Sequence, residues 1–366
     1  MKKRVGIITF HNAINFGAVL QCYALQKKLL SMGFDAKVVD YRNEFIQKEY
    51  SLFGGKLKGT LKTRIIEIIK RILGLPMNYL KIRLFKKFIN ENFNLTEKHT
   101  YETLNSSNDL DILITGSDQV WNKDLTGGIN QVYLLDVNQK FKKYSYAASI
   151  GKDNISYEEA KQIADIVKSY NGITVRETSL KHALEKAGLK KIDTVLDPVF
   201  LLDKEEWQAL AGKRMIKDKY ILVYMMEYNE NIKQIVDKIS ESTGFKIVTF
   251  NKLNRYENIL ANKYISGPKE FLNYINNAEL VITNSFHATA FSIIFQKDFY
   301  TIKHSNKNSR IDDILTKFAL TERIIENIKD IQAGKLNSHV DYSKVQETMF
   351  EKQREAINFL NTINEN

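Results

Sequence analysis

The opening of the chain switches from strand-like to helical patterning and back again, and that switch limits the possible folds more than any other feature. Val5–Phe10 is a short β-rich run and His11–Gly17 is a loop. Leu20, Tyr23, Ala24, Leu25, Leu29 and Leu30 then recur at helical spacing, Gly33 ends that helix, and Ala36–Val39 makes a second strand leading to Asp40. This is a βαβ unit, which commits the chain to parallel pairing. In open sheets of this kind ligands bind beyond the carboxyl ends of the strands. The pattern continues through a strand Asp111–Thr115, a run Lys143–Ala148, a helix Tyr157–Ser169, a strand Gly172–Val175, a helix Ser179–Ala187 and a run Thr194–Leu196.

A second α/β series begins after Arg214, with strand Tyr220–Met226, helix Asn231–Thr243, strand Lys246–Phe250, helix Lys269–Asn276, strand Leu280–Thr283 and strand Asp298–Ile302. Two series in 366 residues predict an α/β protein of two doubly wound, Rossmann-like domains facing a cleft. The expected boundaries are 1–212, with a helical insertion at about 56–90, then 213–335, then a last stretch 336–366 whose helix crosses back to the first domain.

Composition removes several function classes. One cysteine, Cys22, allows neither a disulfide framework nor a multi-thiolate metal site, and His11, His99, His182 and His339 show no metal-ligand spacing, so no metal is expected. No apolar run approaches the roughly 20 residues that span a bilayer. The apolar stretch after the N-terminal basic cluster is too short for a secretory signal, so a cytoplasmic protein is expected. Neither a Walker loop nor a serine elbow occurs, and Asn15-Phe16-Gly17-Ala18 lacks the three spaced glycines of a dinucleotide site, so no cofactor is expected.

The net charge is +11, and most of it sits in one place. Lys56–Phe88 holds Lys56, Lys58, Lys62, Arg64, Lys70, Arg71, Lys81, Arg83, Lys86 and Lys87 against Glu67 alone. Apolar residues at helical spacing run alongside, and Gly74 with Pro76 divides them, which predicts two basic amphipathic helices. Such helices either pack one face on their own domain or lie on an anionic membrane surface. Nucleic acid is not an expected partner, because no recognised binding motif accompanies the patch.

Three strand ends carry polar clusters. Asn15 and Gly17 lie between the first strand and helix, where N–H groups can cradle an anion or Asn15 can simply cap. Gly116-Ser117-Asp118-Gln119-Val120-Trp121-Asn122 leaves the strand Asp111–Thr115; there Asp118 could take a proton from a sugar hydroxyl and Trp121 could offer a ring face, or pack in the core. Asn284-Ser285-Phe286-His287 opens a helix of the second domain, where His287 could hold an anion or donate a proton, with Lys303, His304 and Arg310 following. Arg176 ends the strand Gly172–Val175, facing ligand or pairing with Glu177, and Asp197-Pro198 would turn the chain between domains.

Taken together, these residues resemble the polysaccharide pyruvyl transferases. The resemblance rests on Gly6-Ile7-Ile8-Thr9 leading to Asn15–Gln21 and Tyr23-Ala24-Leu25, on Gly116–Trp121, on Val175-Arg176-Glu177 with Ser179, on Asp197-Pro198, and on Thr283–His287 with Phe291-Ser292. It implies a fold similar to the GT-B glycosyltransferases, with acceptor on the N-terminal side and donor on the C-terminal side. It also implies transfer of the enolpyruvyl unit of phosphoenolpyruvate to a sugar hydroxyl pair of an oligosaccharide or polyprenyl-linked glycan, giving a ketal. Arg176 and His287 match motif positions that would hold the donor, with His287 a possible acid and Asp118 a candidate base. Asn15, Gly17, Ser117, Gln119, Trp121, Asn284, Ser285, His304 and Arg310 complete the expected binding set. Many members carry arginine two residues before the histidine; here Ser285 stands there, and Arg310 or Lys303 could replace the cation. The alternatives are a GT-B-like glycosyltransferase using a nucleotide sugar and a non-catalytic glycan-binding protein. The basic insertion would dock the chain on the inner face of the cytoplasmic membrane.

Overall fold

Asn15 fixes where the first helix begins. Its extended backbone leaves strand β1 (Arg4–Ile8), and its side-chain oxygen accepts from the Ala18 N–H at 3.2 Å, so the helix runs from Phe16 to Ser31. The chain returns as β2 (Asp35–Tyr41), parallel to β1 with Val5 opposite Ala36. The computed structural model describes residues 2–51, 61–251, 255–303, 308–332 and 339–365.

The strands β3 (Leu95–His99), β4 (Ile112–Thr115), β5 (Lys142–Ala148), β6 (Gly172–Val175) and β7 (Ile192–Thr194) complete a parallel sheet of order β3-β2-β1-β4-β5-β6-β7. Further strands β8 (Tyr220–Tyr224), β9 (Lys246–Thr249), β10 (Ile259–Asn262), β11 (Leu280–Thr283), β12 (Asp298–Ile302) and β13 (Ile324–Ile325) form another, β10-β9-β8-β11-β12-β13, also parallel throughout. Strands β4 and β11 are buried at every residue, as expected where helices cover both faces. In each sheet the winding reverses beside the first strand, between β1 and β4 and between β8 and β11. Those switch points are where a parallel sheet opens a crevice for ligand.

The chain divides into two compact units, Met1–Pro198 with Leu360–Asn366, and Val199–Phe359. The helix Lys204–Ala211, which precedes the expected boundary at 212, belongs to the second unit, where Trp207 meets the Phe291 ring edge-on at 4.9 Å. The last helix, Tyr342–Glu365, starts in the second unit, where Tyr342 Oη donates to Lys297 O at 2.5 Å. It ends in the first, where Lys3 Nζ donates to Ile363 O at 3.3 Å.

The insertion differs from expectation. Leu61–Asn92 is one helix running through Pro76 instead of two helices divided there. Proline removes the hydrogen bond to the carbonyl four residues earlier, that of Ile72. Ile72 is 54% exposed, so water can satisfy that carbonyl. Beyond the proline the helix is held by packing: Phe85, Phe88 and Ile89 are buried, with Phe85 against Phe16 at 5.2 Å and Phe88 against Tyr23 at 5.9 Å. Among the described residues no helix is long and apolar enough to cross a membrane.

Candidate functional site

At the β1/β4 switch point the backbone is bent into conformations that side chains seldom adopt. Gly116 (φ +107°) and Asp118 (φ +68°) lie at the end of β4, and Ala147 (φ +48°) lies near the end of β5. A Cβ at Gly116 would stand 2.3 Å from the Tyr146 carbonyl oxygen, so the turn that carries Ser117 and Asp118 requires glycine. Left-handed non-glycine residues persist only where their surroundings hold them, and they gather at functional sites.

The surroundings here are polar and closed. Gln21 Nε2 donates to Thr9 Oγ1 at 2.9 Å, Thr9 Oγ1 donates to Ser117 O at 3.0 Å, and the Ser117 N–H donates to Gln21 Oε1 at 3.1 Å. Ser117 Oγ lies 2.8 Å from Ala147 O and 3.0 Å from Asp197 Oδ2. Arg176 Nη1 donates to that same Asp197 oxygen at 2.7 Å, its Nη2 donates to Ser149 Oγ at 2.8 Å, and Nη2 stands 3.9 Å from Asp118 Oδ1. Ser149 Oγ also donates to Glu177 Oε1, which accepts from the Gly151 N–H at 3.2 Å.

One guanidinium is therefore surrounded by three carboxylates, all buried. Burial disfavours its charge, but Glu177, Asp197 and Asp118 more than restore it, and Arg176 sits above the ordinary arginine value. The expectation that Arg176 holds an anionic donor does not match this geometry. Its two amino groups already bind Asp197 and Ser149, and an incoming anion would meet three like charges. Asp197, expected as a linker turn, is instead the anchor of the cluster. Of the two readings of Trp121, a ring face for a sugar or a core residue, the structure has the second: it is 2% exposed with its indole N–H on Tyr133 O at 3.3 Å. Gln119 is half-buried, accepting from Asn122 Nδ2 at 3.3 Å, and Gly17 is buried in the first turn of its helix. Asn15 acts as the helix cap and also bonds the Tyr50 hydroxyl. Burial and then the Asp118 charge push that hydroxyl up to about 12, which places Tyr50 beside both residues.

A third constellation escaped the sequence reading. His11 Nε2 lies 3.1 Å from Asp40 Oδ1, while Arg42 grips both Asp40 oxygens, at 2.7 and 2.9 Å. Burial works against the Asp40 charge, but the hydrogen bonds from His11 and Arg42 hold its carboxyl well below the usual range. The signal was topological: His11 and Asp40 close adjacent parallel strands, so the βαβ unit alone sets them side by side.

In the second unit, Asn284 ties the switch point together. Its Oδ1 accepts from the Met226 N–H at 2.6 Å and its Nδ2 donates to Glu227 O at 3.2 Å. The helix Phe286–Ile294 starts at Ser285, 8% exposed, whose side chain makes no capping bond. A helix start whose cap residue makes no side-chain bond suits an anion. His287, 8% exposed, meets the Phe286 ring edge-on at 5.1 Å, and the Arg310 guanidinium lies 5.9 Å from the centre of the same ring. Lys303 is ion-paired with Glu326 at 2.8 Å, whereas Arg310 lies over the ring of Phe286, the neighbour of His287. His304 lies outside the described residues. No group of acidic, cysteine and histidine side chains among the described residues could hold a metal ion.

The pattern of the family described as polysaccharide pyruvyl transferase matches residues 15–306. No curated protein sequence matches the chain. Among solved structures, a candidate UDP-N-acetylglucosamine 2-epimerase from Listeria monocytogenes is 13% identical, with 100% of this chain and 98% of that chain covered and a TM-score of 0.57. Another UDP-N-acetylglucosamine 2-epimerase is 12% identical over 98% of this chain and 96% of that chain, with a TM-score of 0.51. At such identity the likeness concerns fold alone, a GT-B-like pair of Rossmann-like domains.

Proposed function

The chain belongs to the polysaccharide pyruvyl transferase family, and on that premise we propose that it moves the enolpyruvyl unit of phosphoenolpyruvate onto two hydroxyls of a sugar. The reading is carried by the family match itself, which spans both switch-point clusters. In the reaction the two hydroxyl oxygens bond to C2 of the donor and the C2–phosphate bond breaks. One hydroxyl proton is balanced by the proton gained at C3, which becomes a methyl group, and the other leaves with inorganic phosphate. The product is a pyruvate ketal.

Chemistry of this kind needs a base, an acid and cations for two anionic groups. Asp118 is the candidate base. Its acid-rich surroundings suit a neutral hydroxyl better than an anion, and its strained backbone is held by Ser149 N–H on its carbonyl at 3.1 Å. Arg176 acts here as a positioning residue, whose bonds to Asp197 and Ser149 fix the turn that presents Asp118. His287 is the candidate acid, and the start of helix Phe286–Ile294, with Ser285 and Arg310, is the candidate seat of the donor anion. The acceptor is an oligosaccharide or a lipid-linked glycan, and the exposed Arg64, Ile68 and Ile72 of the long basic helix support docking on an anionic membrane surface.

Thermal unfolding tests this reading, with phosphoenolpyruvate, UDP, GDP or phosphate added at fixed pH and salt. Ligand at 100 times its dissociation constant stabilises the folded state by about 2.7 kcal/mol. Phosphoenolpyruvate should protect the wild type and not His287→Ala. Protection by a nucleotide, with none from phosphoenolpyruvate, would replace this reaction by sugar transfer from a nucleotide sugar.

A further inference from the structure

We propose that a cavity of about 410 Å³ in the first unit binds a sugar that carries a phosphate or diphosphate group. The cavity lies between the ends of β1 and β2 and the second half of the long basic helix. Arg42, Arg83, Lys86, Tyr41, Tyr79 and Tyr133 are among the residues that line it. Its volume falls in the range of small-ligand sites, roughly 300–1,000 Å³.

The charges argue for an anion. Among the described residues three cations line the cavity and no carboxylate does. Asp40, behind it, is already bound by His11 and by both arms of Arg42. Arg83 and Lys86, both exposed, form no ion pair or hydrogen bond with any described residue. Tyr79, Ile82, Arg83 and Lys86 recur at three- and four-residue spacing, so one helix face supplies this wall while Phe85, Phe88 and Ile89 anchor the other. Free guanidinium and ammonium groups at a cavity mouth form charge-assisted hydrogen bonds with phosphate oxygens.

The rings argue for a sugar. Tyr41 and Tyr133 pack edge-to-face at 5.3 Å, and the Tyr41 hydroxyl accepts from Asn130 Nδ2 at 3.0 Å. Tyr133 is buried and only backs Tyr41, while the half-buried Tyr41 and the exposed Tyr79 offer aromatic rings with hydroxyl tips, which match the mixed apolar and polar surface of a pyranose. Tyr50 also lines the cavity, and it bonds Asn15 and feels the charge of Asp118. A sugar with its phosphate on Arg83 and Lys86 would extend past Tyr50 toward Asp118. The inference rests on the acceptor side of the reading above and names the chemistry of that acceptor.

Isothermal titration with the 1-phosphates of glucose, galactose, mannose and N-acetylglucosamine, with the matching free sugars and with inorganic phosphate, tests it. At least one sugar phosphate should bind about tenfold or more tighter than both its free sugar and inorganic phosphate. Arg83→Ala with Lys86→Ala should remove that advantage; both side chains are exposed, so the fold should survive. Binding by none of the four, equal binding by inorganic phosphate, or unchanged affinity in the double variant would each overturn the proposal. Protection by phosphoenolpyruvate, measured on the same two proteins, reports separately on the donor, so either conclusion can fail alone.

Discussion

Arg176 Nη1 and Ser117 Oγ share one oxygen, Asp197 Oδ2, at 2.7 and 3.0 Å. That oxygen joins the ends of β4 and β6 across β5, and it holds Ser117 in the turn that presents Asp118. Removing one partner of a buried ion pair leaves the other uncompensated, at a cost of about 3–5 kcal/mol. Asp197→Ala should lose stability of that order in urea titrations. Arg176→Met should cost more, because it leaves Asp197, Glu177 and Asp118 without their common cation.

Acid stability should depend on Arg42. The Asp40 carboxyl is lowered in the folded state, because hydrogen bonds from His11 and Arg42 outweigh its burial. A depressed carboxyl contributes fully above its unfolded value, about pH 4, and the contribution drains away as pH falls through the folded value. Arg42→Ala should therefore raise the midpoint of acid unfolding, followed by circular dichroism, and change stability near pH 4 less than at neutrality. An unmoved midpoint would show that Asp40 is not a paired anion.

Two glycines beside Asp118 should respond differently to a methyl group. At Gly116 the new Cβ would meet the Tyr146 backbone carbonyl at 2.3 Å, which cannot move without shifting β5. At Gly151 (φ +57°) it would meet the Gln119 side chain, Oε1 at 2.2 Å and Cγ at 2.6 Å, which can change rotamer where a backbone carbonyl cannot. Gly116→Ala should lose more than about 3 kcal/mol, and Gly151→Ala about 1–2 kcal/mol from its left-handed backbone alone. Urea midpoints of the two variants check the order.

Much of this architecture was legible because buried parallel strands are written as apolar runs. Val5–Phe10, Asp111–Thr115, Tyr220–Met226 and Leu280–Thr283 each lead into a strand found in the sheets, and they are the strands that flank the two switch points. What escaped has physical reasons. β3 reads Leu-Thr-Glu-Lys-His because it is an edge strand whose residues largely face water. β13 has two residues, too few for any period. Pro76 predicted a break, but the helix continues through it at a point where Ile72, four residues earlier, is exposed to water. The Tyr50–Asn15 contact and the cavity joining β1, β2 and residues 79–86 are products of packing, and spacing along the chain does not encode them. Arg176 and its neighbour Glu177 were visible as a charge pair, but the convergence of Asp197 and Ser149 from two other strand ends was not.

Ser285 should be dispensable for the fold. Losing a serine N-cap usually costs about 1 kcal/mol through the lost side-chain bond, and no such bond exists here. Ser285→Ala should change stability by less than about 0.5 kcal/mol. If the helix start seats the donor anion, the same variant should need a higher phosphoenolpyruvate concentration for equal thermal protection. Protection identical to wild type would move the donor elsewhere.

The long helix should bind anionic membranes through its first half and leave the cavity to its second. Arg64, Ile68 and Ile72 are exposed there, an apolar and basic combination that a water-facing helix of one domain does not need. Each cation near an anionic surface contributes about 1 kcal/mol, and a physiological ionic strength screens it within about 8 Å. Vesicles rich in phosphatidylglycerol should therefore sediment the protein at low salt, release it as salt rises, and fail to retain a variant with Lys62, Arg64, Lys70 and Arg71 changed to glutamine. Because Arg83 and Lys86 remain in that variant, its binding of sugar phosphates should be unaltered. Cosedimentation equal to wild type would mean that these four charges only keep the helix in water.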